Sequence, residues 1–318
     1  MESDNYDHSS EQLDNFPRYL TESGAFRFAR LALQEIDNTR VLRVNNPAMA
    51  GEEICLFHKN FASGDEYFAR LHDAVRSAMA DHRGLPVVRF ADGEYAFYGR
   101  HLNCNGLYQQ AESRTAIKKA MPFHIRALTA LSRSGIIAPL IFPSNTGRQK
   151  KRFLKALPWQ KKEISSAAFL AFLYENGITL SLGNYLPFYV VYAYLTSADF
   201  ARLVDGKKIC ILNSDWNEAA CRRWFECFSS RPALVCVDIP AEYVATRWEA
   251  MRDGVLANIP PDVDICLVGA GVGALPVCVD VAEHFSIPAI DAGHVLNMMN
   301  GREDKSNGPR LYTLRSEI

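Results

Sequence analysis

The stretch Val87-Val88-Arg89-Phe90-Ala91-Asp92-Gly93-Glu94-Tyr95 runs an apolar, strand-like segment straight into two carboxylates separated by one glycine. In α/β enzymes ligands bind outside the carboxyl ends of the strands, so acids at such a place can do chemistry. Gly93 brings no Cβ between its neighbours, which lets Asp92 and Glu94 face the same divalent cation, Mn²⁺ or Mg²⁺. A hard cation held by two carboxylates commonly carries a phosphate. Arg89, just upstream, can orient a carboxylate or meet a phosphate oxygen with two N–H groups. A plainer use of the same residues competes with this one: Asp92 can cap a helix starting near Glu94, whose charge offsets the positive end of the dipole.

A second cluster stands far downstream. Ile265-Cys266-Leu267-Val268 leads into Gly269-Ala270-Gly271-Val272-Gly273-Ala274, and Ile287-Pro288-Ala289-Ile290 leads into Asp291-Ala292-Gly293-His294. The first reads as strand, glycine turn and helix; the second as a strand ending in an acid, a glycine and a histidine. Gly269, Gly271 and Gly273 allow a backbone to approach a ligand and leave helix-start N–H groups for an anion, although close strand-to-helix packing also selects glycine. Their spacing departs from the G-x-G-x-x-G dinucleotide fingerprint, with Ala274 at its last position. An NAD(P)- or S-adenosylmethionine-type enzyme therefore rests on this turn alone and leaves the D-G-E stretch without a role. A non-catalytic nucleotide-binding protein is the third class to weigh.

Taken together, R-F-A-D-G-E near one end and G-A-G followed by A-I-D-A-G-H near the other resemble the GT-D type glycosyltransferases, a bacterial family first catalogued as a domain of unknown function. The matched span is 86–299. The resemblance implies a Rossmann-like catalytic domain that moves a sugar from a nucleotide-diphosphate donor, a UDP-sugar foremost, to a glycan, glycolipid or glycoprotein acceptor. It makes Asp92 and Glu94 the D-x-E metal pair and Arg89 the arginine before it. Asp291, Gly293 and His294 become the closing motif. Ala91 stands where the family usually has glycine. The base that deprotonates the acceptor is then Glu94, Asp92, His294 or Asp291. Arg89, Gly93, Asn213, Ser214, Gly269, Gly271, Asp291 and Gly293 are the expected donor-binding set.

These residues need elements to hold them. Phe68, Leu71, Val75 and Met79 recur at helical spacing and predict an amphipathic helix over 65–82 that leads into the first core strand. Further strands are expected at 136–142, 178–182, 208–212, 234–238, 264–268 and 287–291, with helices between. Alternation of this kind argues for an α/β fold, a mostly parallel sheet flanked by helices. The expected domains are a polar tail at 1–18, a helical N-terminal extension at 19–82, the catalytic domain at 83–300 and a C-terminal tail at 301–318. Asn213-Ser214-Asp215 and Pro143-Ser144-Asn145-Thr146 follow predicted strands, where they can line the cleft or cap the next helix, that after Asp215 being expected at 216–228. Gly183-Asn184-Tyr185-Leu186-Pro187 turns into an aromatic helix whose tyrosines read as core more readily than as sugar platforms.

Composition sets the outer limits. A chain of 318 residues, 48% of them hydrophobic, can bury a large core. With 35 basic against 36 acidic residues it lacks the basic balance expected of a nucleic-acid binder. The eight cysteines form no C-x-x-C pairs and several sit in apolar runs, which reads as buried free thiols. Met1-Glu2-Ser3-Asp4 is polar and no apolar run reaches membrane-spanning length, so a cytoplasmic protein is expected. The basic run 148–162 is a solvated helix face or a landing surface for anionic lipid headgroups on the inner membrane face.

Overall fold

A computed structural model of the chain describes residues 42–45, 53–57, 64–104, 108–140, 166–178, 180 and 183–301. In chain order the strands are β1 (Leu42–Asn45), β2 (Glu53–Phe57), β3 (Leu85–Phe90), β4 (Asn103–Cys104), β5 (Tyr108–Gln109), β6 (Ile136–Pro139), β7 (Lys208–Asn213), β8 (Ala233–Asp238), β9 (Ile265–Gly269) and β10 (Pro288–Asp291). The helices are α1 (Gly64–Ala80), α2 (Asp92–Tyr98), α3 (Arg114–Ser134), α4 (Ser166–Glu175), α5 (Phe188–Leu195), α6 (Ala198–Leu203), α7 (Glu218–Glu226), α8 (Val244–Ala257), α9 (Ala274–Phe285) and α10 (His294–Met299). One six-stranded sheet in the order β6-β3-β10-β9-β7-β8 organises them. Each of its pairings is parallel, as the α/β reading requires.

Parallel sheets are covered on both faces, so their strands read as continuous apolar runs. Val87, Val88 and Phe90 of β3, Ile209 to Leu212 of β7 and Ile265 to Val268 of β9 are all buried. β8 is half-exposed, as an outer strand can be. The order of entry matters most for function. β3 enters the sheet first, yet β10, the last strand, slots in beside it and pairs Ile290 with Val87 and Asp291 with Val268 of β9. The carboxyl ends of β3 and β10 thereby become neighbours at the point where strand order reverses, the usual place for a ligand cleft.

Helix α1 fulfils the amphipathic expectation, with Phe68, Leu71 and Val75 buried and Met79 packed partly against the core. Phe68 meets Tyr194 of α5 edge-on with ring centroids 5.7 Å apart, so α1 belongs to the main core. Elsewhere in the predicted helical extension, β1 and β2 pair antiparallel as a short hairpin. No strand forms among the described residues of 178–182. The sheet edge is extended instead at Tyr185, which bridges Ile137, with the Ile137 N–H donating to the Asn184 carbonyl at 2.7 Å. The turn at Gly183 and Asn184 and the Pro187 that opens α5 leave room for one bridge only. Cys210, Cys221, Cys266 and Cys278 are buried free thiols as expected, whereas Cys227 is exposed. No helix among the described residues is long and apolar enough to cross a membrane. The 1–18 tail, the 143–146 turn, the basic run 148–162 and the tail beyond residue 301 lie outside the described residues.

His124 of α3 ties three helices together. Its Nε2–H donates to the Ala245 carbonyl of α8 at 2.8 Å, and its Nδ1 lies 3.1 Å from the Tyr98 hydroxyl at the end of α2. Burial disfavours the imidazolium and pushes the pKa down from 6.5 to about 4, against the opposing pull of the Ala245 carbonyl. The unfolded chain therefore binds a proton that the native state refuses. This contribution to stability is complete above pH 6.5 and is lost as pH falls toward 4, amounting to about 3 kcal/mol. Urea unfolding at pH 7 and pH 4.5 should show a loss in the parent protein that shrinks in His124→Gln, which cannot take up the proton. An equal loss in both would refute this role for His124.

Candidate active site

The cleft lies at the carboxyl edge of the sheet and has a volume of about 260 Å³. From β3 and its following turn come Arg89, Ala91, Asp92, Gly93 and Glu94; from the end of β7 comes Asn213. The turn after β9 supplies Gly269 and Gly271, and that after β10 supplies Asp291, Gly293, His294 and Asn297. The two sequence clusters thus share one site. Phe188 and Tyr192 of α5 also line it, and Ser214 does not: it is exposed beyond the strand end.

Local geometry explains the D-G-E stretch. Ala91 is the N-cap of α2 and has φ −134°, ordinary extended backbone, so glycine is not needed there. Asp92 follows at the first helical position and is exposed, its Oδ1 accepting from the Gly93 N–H at 3.1 Å. Glu94 folds back and its Oε2 accepts the Ala91 N–H at 2.7 Å, the return half of a capping box. The cap is therefore made by Glu94, where the sequence had suggested Asp92. Burial raises the Glu94 pKa to about 7; the Ala91 N–H opposes the rise, Asp291 adds to it and Arg89 works against it. A half-buried carboxyl in that range can carry a proton at neutral pH. Tyr95 steadies the turn, its hydroxyl lying 3.0 Å from the Phe90 carbonyl and 2.7 Å from that of Leu140.

Arg89 and Asp291 face each other. The Arg89 Nη2 donates to Asp291 Oδ1 at 2.8 Å, its Nε to the Asp291 carbonyl at 2.9 Å, and its backbone N–H to Oδ2 at 3.2 Å. Both residues are buried, at 6% and 5% exposure. Burial works against both charges and the pairing works for both: the guanidinium ends above its usual range and the carboxyl is also raised. The guanidinium further lies over the Tyr192 ring at 4.4 Å and the Phe188 ring at 5.2 Å. Of the two uses the sequence offers Arg89, orienting a carboxylate or meeting a phosphate, the structure shows the first, with Asp291 as the carboxylate; both residues, expected in the donor-binding set, line the cleft.

The three glycines of the β9 turn differ in duty. A Cβ on Gly269 would come within 2.7 Å of the Asn213 Oδ1, and one on Gly273 within 2.6 Å of Val244 Cγ1 and 2.9 Å of the Ala245 N at the start of α8. Gly271 has φ +52° and open space where a Cβ would stand. The helix-cap alternative for Asn213-Ser214-Asp215 gives way to Asn217, whose Oδ1 accepts the Ala220 N–H at 3.1 Å and so opens α7. Asn213 instead donates from Nδ2 to the Asp215 carbonyl at 2.8 Å, which holds its side chain at the cleft. His294 begins α10 with its Nδ1 3.5 Å from the Asn297 Nδ2. Phe188 and Asn297 escaped the sequence reading, and Tyr192, one of the tyrosines of the aromatic helix read as core more readily than as sugar platforms, lies at the cleft.

A cation fits the donor set here through hard oxygens. Asp92 is exposed at the mouth, and Glu94 is a carboxyl whose burial a cation would offset. Among the described residues no group of three or more His, Cys, Asp or Glu is placed to hold a metal ion. A cation here would complete its coordination with phosphate and water, a mode usual for Mg²⁺.

Comparison with family models and with curated proteins finds no match. Among solved structures the chain is similar to a glycosyltransferase of the domain of unknown function 1792 from Streptococcus sanguinis, at 14% identity over 71% of this chain and 81% of that one, with a TM-score of 0.43. A selenomethionine structure of the same domain matches at 16% identity over 74% and 83% of the two chains, TM-score 0.41. A third, described as showing that this domain has a distinct glycosyltransferase fold, matches at 15% identity over 74% and 83%, TM-score 0.42.

The glycine turn gives a graded expectation. Gly273→Ala should cost about 2 kcal/mol or more, because Val244 and the α8 backbone must move. Gly271→Ala should cost only about 1 kcal/mol, the strain of a side chain at positive φ. Urea denaturation of the two variants checks this, and the reverse order would mean the turn is built differently.

Proposed function

We propose that the cleft binds a nucleoside-diphosphate sugar with a divalent cation and transfers the sugar to an acceptor hydroxyl, making the protein a metal-dependent glycosyltransferase. The observation that carries this reading is the convergence of Asp92, Glu94, the open Gly271 turn and His294 in one cleft of about 260 Å³. Asp92 and Glu94 would hold Mn²⁺ or Mg²⁺. The cation would offset the negative charge that grows on the departing diphosphate. Gly271 leaves its side of the cleft free for the donor to lie against backbone. As the acceptor oxygen bonds to the anomeric carbon and the bond to the diphosphate breaks, the acceptor proton passes to a base lining the cleft. Glu94 and His294 both line it; a carboxylate that holds the cation gives up its proton affinity, which leaves His294 as the base. UDP is the first nucleotide to test, and glycans or lipid-linked glycans the first acceptors.

A thermal-shift panel of UDP, GDP, NAD and S-adenosylmethionine, each with and without Mn²⁺, tests the reading. Stabilisation by a nucleoside diphosphate that requires Mn²⁺ is expected; stabilisation by NAD or S-adenosylmethionine without metal would replace it. Asp92→Asn and Glu94→Gln should both fold, since Asp92 is exposed and a Gln at position 94 can still accept the Ala91 N–H. Each should lower transfer on the order of a hundredfold, because a neutral amide is a poor ligand for the cation that offsets leaving-group charge. Undiminished turnover in both variants would remove the metal assignment.

A further inference from the structure

We propose that Arg89 and Asp291 are positioning residues: they form a brace that sets the His294 turn against the Asp92/Glu94 turn, and neither holds the donor. This rests on the reading of the cleft as a donor site. Three hydrogen bonds, at 2.8, 2.9 and 3.2 Å, run from Arg89 to Asp291 and join the end of β3 to the end of β10. The turn that follows wraps over the guanidinium. Gly293 has φ +42°, and a Cβ there would lie 1.9 Å from the Arg89 Nη2, so only glycine lets the chain pass so close. From the other side the Ala292 and Gly293 N–H groups donate to the Val268 carbonyl of β9 at 2.9 and 3.3 Å. His294 is the next residue and opens α10. Its starting point is thus clamped between Arg89 on one strand and Val268 on another. The Tyr192 and Phe188 rings also lie 4.4 and 5.2 Å from the guanidinium, aromatic contacts that would suit an immobile cation better than one reaching for phosphate.

Lysine keeps the charge at position 89 but loses the fork that grips both the carboxylate and the carbonyl. The test compares Arg89→Lys with the parent protein in three readouts. One is the imidazole Cε1–H NMR signal of His294, assigned by its absence in His294→Gln, with the signal of buried His124 as the control for an intact fold. The second is the affinity for UDP with Mn²⁺ by calorimetry. The third is turnover of UDP-sugar, as transfer or as hydrolysis. The brace predicts that the His294 signal moves while that of His124 stays, that UDP affinity changes by less than about threefold, and that kcat falls by about tenfold or more. An unmoved His294 signal, or a tenfold or greater loss of UDP affinity, would overturn it. If Arg89→Lys does not fold, Asp291→Asn takes its place with the same expectations; failure of both to fold makes the pair a requirement of folding and also overturns the proposal. A parent protein that binds no UDP defeats the donor-site reading by itself, and the His294 signal then decides the brace alone.

Discussion

A guanidinium taken out of water must find a counter-charge, and Arg89 on β3 finds Asp291 on β10, 202 residues further along the chain. Such a pair is a weak source of net stability, because removing both charges from water consumes most of what their attraction returns. Its value lies in direction. The fork of Arg89 accepts one placement of the Asp291 carboxylate and carbonyl, and this aligns the first and last strands of the six-stranded sheet at their carboxyl ends. The cleft exists because these two ends are neighbours. Leaving either charge without its partner would cost about 3–5 kcal/mol in a typical buried pair, which sets a strong preference for this alignment over others.

The D-G-E turn shows how one short sequence meets two demands. The first turn of α2 needs an acceptor for its free N–H groups, and Glu94 supplies it to Ala91. The same carboxyl borders the cleft, half-buried and raised in pKa by loss of water, with Asp291 adding repulsion. Capping and chemistry are therefore not alternatives here. The carboxyl that closes the helix is held still by doing so, and a side chain held still is a better base or metal ligand than a free one. Asp92, two residues earlier, is exposed and lines the cleft.

Around this centre the other elements divide the work of support. The β9 turn uses Gly273 to admit the start of α8 and Gly269 to admit the Asn213 side chain, leaving Gly271 turned to open space. His124 joins α2, α3 and α8, and its burial there keeps the ring from taking up a proton. Helix α5 brings aromatic rings against the guanidinium, a contact that makes burying an arginine beside a cleft less costly than burying it among aliphatic groups.

Much of the architecture was legible in the sequence, for reasons of local pattern. The amphipathic period from Phe68 to Val75 marks a helix wherever it is placed, and apolar runs such as Ile209 to Leu212 mark strands covered on both faces. The acids, glycines and histidine at the ends of such runs could be named as site candidates because strand ends are where α/β sheets expose their chemistry. Other facts depend on what lies across the sheet. That the Arg89 charge is paired with Asp291, that Asn217 and not Asn213 or Asp215 caps α7, and that Ser214 lies exposed outside the cleft lining are set by partners distant in sequence or by the course of a turn. The bridge from Tyr185 to Ile137, just past the predicted strand, is flanked by a turn and by Pro187. Residue type and spacing determined which groups could act. Strand order, which brought β10 in beside β3, decided which of them meet, because hydrogen bonds and ion pairs form between groups a few ångströms apart however many residues separate them.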